Sequence, residues 1–78
     1  MNTFERVRTV LASVLRVPLE SVVADARLVE LVEIDSLTLA EIAAGLDEEF
    51  HTRLPSDDLS AVQTVADLVR AVEHAPSR

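Results

Sequence analysis

The sequence predicts an all-α fold: a four-helix bundle with three main helices, a short third helix and a long first loop. Three observations lead there. The chain has 78 residues, of which 49% are hydrophobic and 27% charged, too apolar for a disordered chain. It holds one Gly and three Pro, too few breakers for a β fold with many turns. Apolar residues recur at steps of three and four in separate runs, the pattern of helices that each bury one stripe. A chain this short builds one modest core, so residues 1–78 are expected to form a single domain without room for a large substrate-enclosing active site.

The first helix, expected over 3–16, carries Phe4, Val7, Val10, Leu11, Val14 and Leu15 on one stripe, with Arg6, Arg8, Thr9 and Ser13 between them. Asn2 followed by Glu5 fits a capping box, and Pro18 lacks the amide hydrogen that a continuing helix needs. From Val17 to Ile34 the period blurs into a long connection, with Val22, Leu28, Leu31 and Val32 as candidate buried anchors. Ordered loops of that length in small domains often carry function. Asp35 then caps a second helix over 36–50, whose apolar run is Leu37, Leu39, Ile42, Ala43, Leu46 and Phe50. Gly45 inside it costs ~1 kcal/mol relative to Ala, and with Ala40, Ala43 and Ala44 it forms a small-residue surface that another element can approach closely. Leu54-Pro55-Ser56 breaks the pattern and 57–61 makes a short third helix. Thr64 and Asp67 cap a last helix over 65–74 bearing Val65, Leu68, Val69 and Val72, after which the segment from Ala75 is expected to fray.

The formal net charge of −7 is unevenly placed. Residues 28–50 contain Glu30, Glu33, Asp35, Glu41, Asp47, Glu48 and Glu49 and no Lys or Arg, whereas acids and bases balance elsewhere. Such a stretch repels nucleic-acid phosphates and attracts basic protein surfaces over roughly a Debye length, ~8 Å at physiological salt. It is also what a purely solubilising helix face looks like. The chain has no Cys, which removes disulfides, thiolate metal sites and a Cys nucleophile. No apolar run reaches membrane-spanning length, and the N-terminal segment is amphipathic, not a basic stretch followed by an apolar one. A cytoplasmic monomer without membrane or nucleic-acid partner is the expectation.

The chemistry-bearing candidate is Ser36, one residue inside a helix and directly after an Asp cap. The N-terminus of a helix leaves backbone N–H groups unpaired and carries partial positive charge, so a phosphate esterified to Ser36 would be well placed. As a hydrolytic nucleophile Ser36 lacks a base, since the only imidazoles are His51 and His74. His51 lies ~22 Å away along the helix at 1.5 Å per residue, and His74 sits near the chain end, where it suits the dipole of the last helix. Local sequence alone also allows Ser36 to be an ordinary residue of the capping region.

Ile34-Asp35-Ser36-Leu37 resembles the Asp-Ser-Leu attachment motif of acyl carrier proteins. The likeness extends to Leu28-Val29-Glu30, Glu41-Ile42, Leu46-Asp47-Glu48-Glu49-Phe50, Leu54-Pro55 and Thr64-Val65-Ala66-Asp67-Leu68, spaced as in that family from about Phe4 to Val72. The resemblance implies a protein without catalysis of its own. In its place Ser36 would carry a 4'-phosphopantetheine arm derived from coenzyme A, attached by a phosphopantetheinyl transferase that recognises Asp35 and Leu37. The arm would present acyl thioesters to acyltransferase, ketosynthase or acyl-ligase type enzymes whose basic surfaces dock on Glu41, Asp47, Glu48 and Glu49. Two departures from the family pattern flank the arm: Glu33 where a glycine is frequent, and Thr38 where many fatty-acid carriers have an acid. They favour polyketide or other specialised-metabolite synthesis over fatty-acid synthesis. A peptidyl or aminoacyl carrier of a peptide synthetase system and an acidic helical adaptor that never receives the arm are the alternatives. Leu46, Leu59, Val62 and Leu68 either line a pocket for the acyl chain or form ordinary core.

Overall fold

The computed structural model describes residues 2–77. Its helices are α1 (Thr3–Leu15), α2 (Leu28–Leu31), α3 (Ser36–Phe50), α4 (Ser56–Leu59) and α5 (Val65–Glu73), with a 3-10 turn at Leu19–Ser21. No helix among the described residues is long and apolar enough to cross a membrane.

Each long helix starts on a side-chain cap. The Asn2 side chain accepts the Glu5 N–H at 2.8 Å, and Asp35 accepts the Thr38 N–H at 2.8 Å. At α5 Thr64 accepts the Asp67 N–H while Asp67 reaches back to the Thr64 N–H, a complete capping box. Each cap satisfies a donor that has no partner inside its helix. The apolar stripes then meet in one cluster. Val7 and Leu11 come from α1, Val22 and Leu28 from the long connection, Ile42, Ala43 and Leu46 from α3, Leu54 and Leu59 from α4 and its approach, and Val65, Leu68 and Val72 from α5.

The connection between α1 and α3 has more structure than its blurred period suggests. After the 3-10 turn, residues 26–28 run antiparallel beside 63–65. Leu28 N–H donates to the Gln63 carbonyl (2.9 Å), Val65 N–H to Ala26 (3.0 Å) and Ala66 N–H to Ala24 (2.9 Å). The loop thereby supplies acceptors to the first turn of α5. Its single helical turn, α2, buries Leu28, whereas Leu31 and Val32 are only half-buried and Val29 is exposed. Four residues are too few to display a helical period, so the sequence pattern does not reveal this turn.

At Gly45 the side chains of α1 pack tightly against α3. A Cβ built there would lie 3.0 Å from Val10 Cγ1 and 3.1 Å from Val14 Cγ2, so the absence of a side chain lets the two valines settle against the α3 backbone. A second tie between these helices comes from Arg6. Its guanidinium lies 4.3 Å from the centre of the Phe50 ring, pairs with Glu49 Oε2 at 2.9 Å and donates to the Glu49 carbonyl at 2.8 Å. Helix α3 has no basic residue in its own last turn, and α1 brings a cation to the negative end of its dipole.

α1 and α3 both end on a non-glycine residue in the left-handed region, Arg16 (φ 59°) and His51 (φ 55°). That conformation costs an L-residue about 1–2 kcal/mol, of which glycine's greater freedom in the unfolded chain takes back about 0.5–1 kcal/mol. His51→Gly is therefore expected to stabilise the fold by about 0.5–1 kcal/mol, read as a higher urea midpoint at unchanged m-value. An unchanged or lower midpoint would mean that His51 makes a compensating contact.

Residues 75–77, expected to fray, are docked, and Arg78 lies outside the described residues. Ala75 N–H donates to the Val72 carbonyl at 3.2 Å, Arg53 N–H donates to the Pro76 carbonyl at 3.0 Å, and Thr52 pairs with Ser77 in an antiparallel bridge. Position at the end of the sequence suggests fraying, but a backbone carbonyl can dock whatever its side chain is.

Candidate functional site

Ser36 opens α3. The extended residue before it, Asp35 (φ −136°, ψ 179°), turns its carboxylate onto the helix to accept the Thr38 N–H, and this leaves Ser36 exposed on the first turn. No hydrogen bond engages Ser36 Oγ among the described residues, and the residue faces solvent. Thr38 completes the local brace, its Oγ1 donating to the Glu33 carbonyl at 3.4 Å. The Asp35 carboxyl is held below its ordinary value of 3.8, first by the Thr38 N–H and, more weakly, by the Leu37 N–H. Asp67, in the α5 capping box, is lowered chiefly by the N–H groups of Thr64 and Gln63 and less by Arg70.

Both shifts have the same sign for stability. A carboxyl depressed in the folded state stabilises it above the unfolded value, and that contribution disappears as pH falls through the lower, folded value. The melting temperature is thus expected to be level near neutrality and to fall below about pH 4. Asn also caps helices and does not titrate in this range, so Asp35→Asn combined with Asp67→Asn should flatten the acid limb. An acid limb as steep as that of the wild type would assign it to other carboxylates.

Leu37 belongs to the apolar run in sequence but not to the buried stripe: it is 68% exposed. It stands four residues before Glu41, which stands seven before Glu48, so the three share one face of α3. All three are exposed, as are Ala40 and Ala44 between them. The other two acids of the expected docking set are placed differently. Asp47 Oδ1 accepts from Thr52 Oγ1 at 3.1 Å and from the Leu54 N–H at 2.8 Å, so its carboxylate orders the connection to α4. Glu49 is turned onto α1 and paired with Arg6. Sequence spacing locates an acid on a helix, but which acid is already engaged depends on the chain that packs beside it.

His51 caps α3 at the end opposite Ser36, and His74 Nδ1 lies 2.8 Å from the Arg70 carbonyl on α5. Neither is brought to Ser36, which has no imidazole within reach for general-base work. Among the described residues no group of three His, Cys, Asp or Glu is arranged to hold a metal ion. The site presents an accessible hydroxyl at a helix start, beside an exposed face that is half apolar and half acidic.

Comparison with known proteins finds relatives along nearly the whole chain. The family model described as "Phosphopantetheine attachment site" matches residues 5–72. An acyl carrier protein of Helicobacter hepaticus is 33% identical over 73 residues, covering 94% of this chain and 96% of that protein. One from Sulfurovum sp. is 32% identical over 74 residues (95% and 99%), and one from Akkermansia muciniphila 33% over 69 residues (88% and 86%).

Proposed function

The chain belongs to the acyl carrier protein family, and on that premise we propose that Ser36 is the residue to which its 4'-phosphopantetheine group is attached. A member of this family is a carrier and not a catalyst, and it works with a phosphopantetheinyl transferase and with biosynthetic enzymes. When bound, the group supplies a terminal thiol on which an acyl chain is held as a thioester. The observation that carries the assignment is the exposed, unpartnered Ser36 hydroxyl on the first turn of a 15-residue helix. Phosphate oxygens on Ser36 would sit at the positive end of α3, and Asp35, already committed to the Thr38 N–H, does not engage the Ser36 hydroxyl. Exposed Leu37, adjoining it, gives the transferase an apolar contact beside the acceptor, and Asp35 a charged one.

Partner enzymes dock, in this reading, on Leu37, Glu41 and Glu48, while Asp47 and Glu49 add to the local negative field from their structural positions. The lack of any base in residues 28–50 supports partners with basic surfaces. The pathway we favour is polyketide or other specialised-metabolite synthesis. Its support is the root of the arm, where Thr38 is neutral and bonded to the Glu33 carbonyl, so a partner built for an acid at that position would lose its counter-charge. Carriage of acyl rather than aminoacyl groups is supported by near full-length matches to proteins named acyl carrier proteins. We place the chain in the cytoplasm, as a monomer forming one carrier domain.

Incubation with coenzyme A and a broad-specificity phosphopantetheinyl transferase tests the central assignment. The intact mass is expected to rise by one phosphopantetheinyl increment. A protein that stays unmodified while its partner enzymes still bind it would be an acidic adaptor instead.

A further inference from the structure

We propose that residues 75–77 form a strap which holds the α3–α4 connection in place and thereby sets how often α4 lifts from the core. α4 is a single turn, and its backbone bonds are local: Asp58 N–H to Pro55, Ser60 N–H to Asp57, Val62 N–H to Leu59. A turn this short is not stable by itself, so it is kept in place by burial of Leu59, 1% exposed, and by whatever fixes its two ends.

The downstream end is fixed at Gln63, whose carbonyl accepts from Leu28 and whose N–H donates to Asp67. The upstream end is held from two sides. From α3, Asp47 takes the Thr52 hydroxyl and the Leu54 N–H. From beyond α5, the Pro76 carbonyl takes the Arg53 N–H at 3.0 Å and Ser77 pairs with Thr52, the one buried polar residue of the described chain. The strap is anchored in turn, since Ala75 is half-buried against the core and its N–H is bonded to Val72. Pro76, with φ fixed by its ring, loses little freedom on docking.

Leu59 shares one apolar cluster with Leu46, Leu54 and Leu68, so lifting α4 opens that cluster to an apolar guest. That the guest is an acyl chain rests on the carrier reading, whereas the strap itself does not. The test therefore uses the unmodified chain. Amide exchange at Leu54, Asp58, Ser60 and Val62 is compared among the wild type, Pro76→Gly and a chain ending at Ala75, with Leu11 in α1 and Leu68 in α5 as references. Loss of the strap should speed exchange at the four amides by about tenfold, the equilibrium weight of a backbone hydrogen bond, in the shortened chain and by less in Pro76→Gly. The reference amides should stay within about twofold. Equal exchange at the four amides in all three proteins would overturn the strap. So would a uniform acceleration that includes Leu11 and Leu68, because residues 75–77 would then contribute only to global stability. Pro76→Gly keeps the chain length and serves if the shortened chain does not fold.

Discussion

Ser36→Ala is expected to remain folded, to melt within a few degrees of the wild type, and to gain no phosphopantetheinyl mass under conditions that modify the wild type completely. Folding should survive because Ser36 Oγ has no partner to lose, the residue is exposed, and the cap that starts α3 comes from Asp35. Alanine is also a better helix former than serine. Loss of the arm should be total, because the other serines lack this setting. Ser13 lies within α1, Ser21 ends a 3-10 turn, and Ser60 spends its hydroxyl on the Asp57 carbonyl. None follows a charged cap at the start of a long helix. The measurement is intact mass followed by peptide mapping, with circular dichroism to establish that the variant is folded. An Ala variant that still gains the increment, or a wild type modified at Ser13, Ser21, Ser56 or Ser60, would remove Ser36 from its proposed role.

What could be read from the sequence follows the range of the interactions involved. Caps are local: Asn2, Asp35 and Thr64 each meet an amide three residues on, so residue types at fixed offsets reveal them. The fold class was readable for the same reason, since the α1 and α3 stripes repeat over several turns. The family resemblance puts Asp47 and Glu49 in the docking set beside Glu41 and Glu48, and residue spacing does not display which of these acids a neighbouring segment engages. The partners of Asp47 and Glu49, Thr52 with Leu54 in one case and Arg6 in the other, are set by chain reversal and by the packing of α1 on α3. The strap was missed because it consists of main-chain groups, and a carbonyl at Pro76 has no signature in residue type. Ser36 itself was marked by the motif around it, while its free hydroxyl is a property that only the fold displays.

Replacing both Glu41 and Glu48 with Arg should slow acyl loading of the holo protein at least tenfold at low salt, with either single change giving a mild effect. Exposed ion pairs contribute only ~0.2–1 kcal/mol each, so one reversal removes little. Two reversals on one helix face turn attraction into repulsion across the area a partner must approach. The loss should appear mainly in the association rate, because charges at the rim of an interface steer encounter more than they hold the complex. Raising ionic strength should slow the wild type towards the double variant, since screening shortens the reach of the field to a few ångströms at 1 M salt. The apolar neighbour Leu37 should behave differently: Leu37→Ala would weaken the complex through dissociation, at all salt concentrations alike. A control must change the total charge equally without touching this face. Arg6 and Arg8 cannot provide it, because Arg6 fastens Glu49 and Phe50 to α1 and Arg8 donates to the Leu19 carbonyl. Glu20→Arg combined with Glu73→Arg does, as both residues are exposed and lie on the 3-10 turn and α5. If this pair slows loading as much as Glu41→Arg with Glu48→Arg, overall charge is responsible and the α3 face has no special part. If neither pair slows it, docking is apolar in onset and Leu37 is the residue to follow.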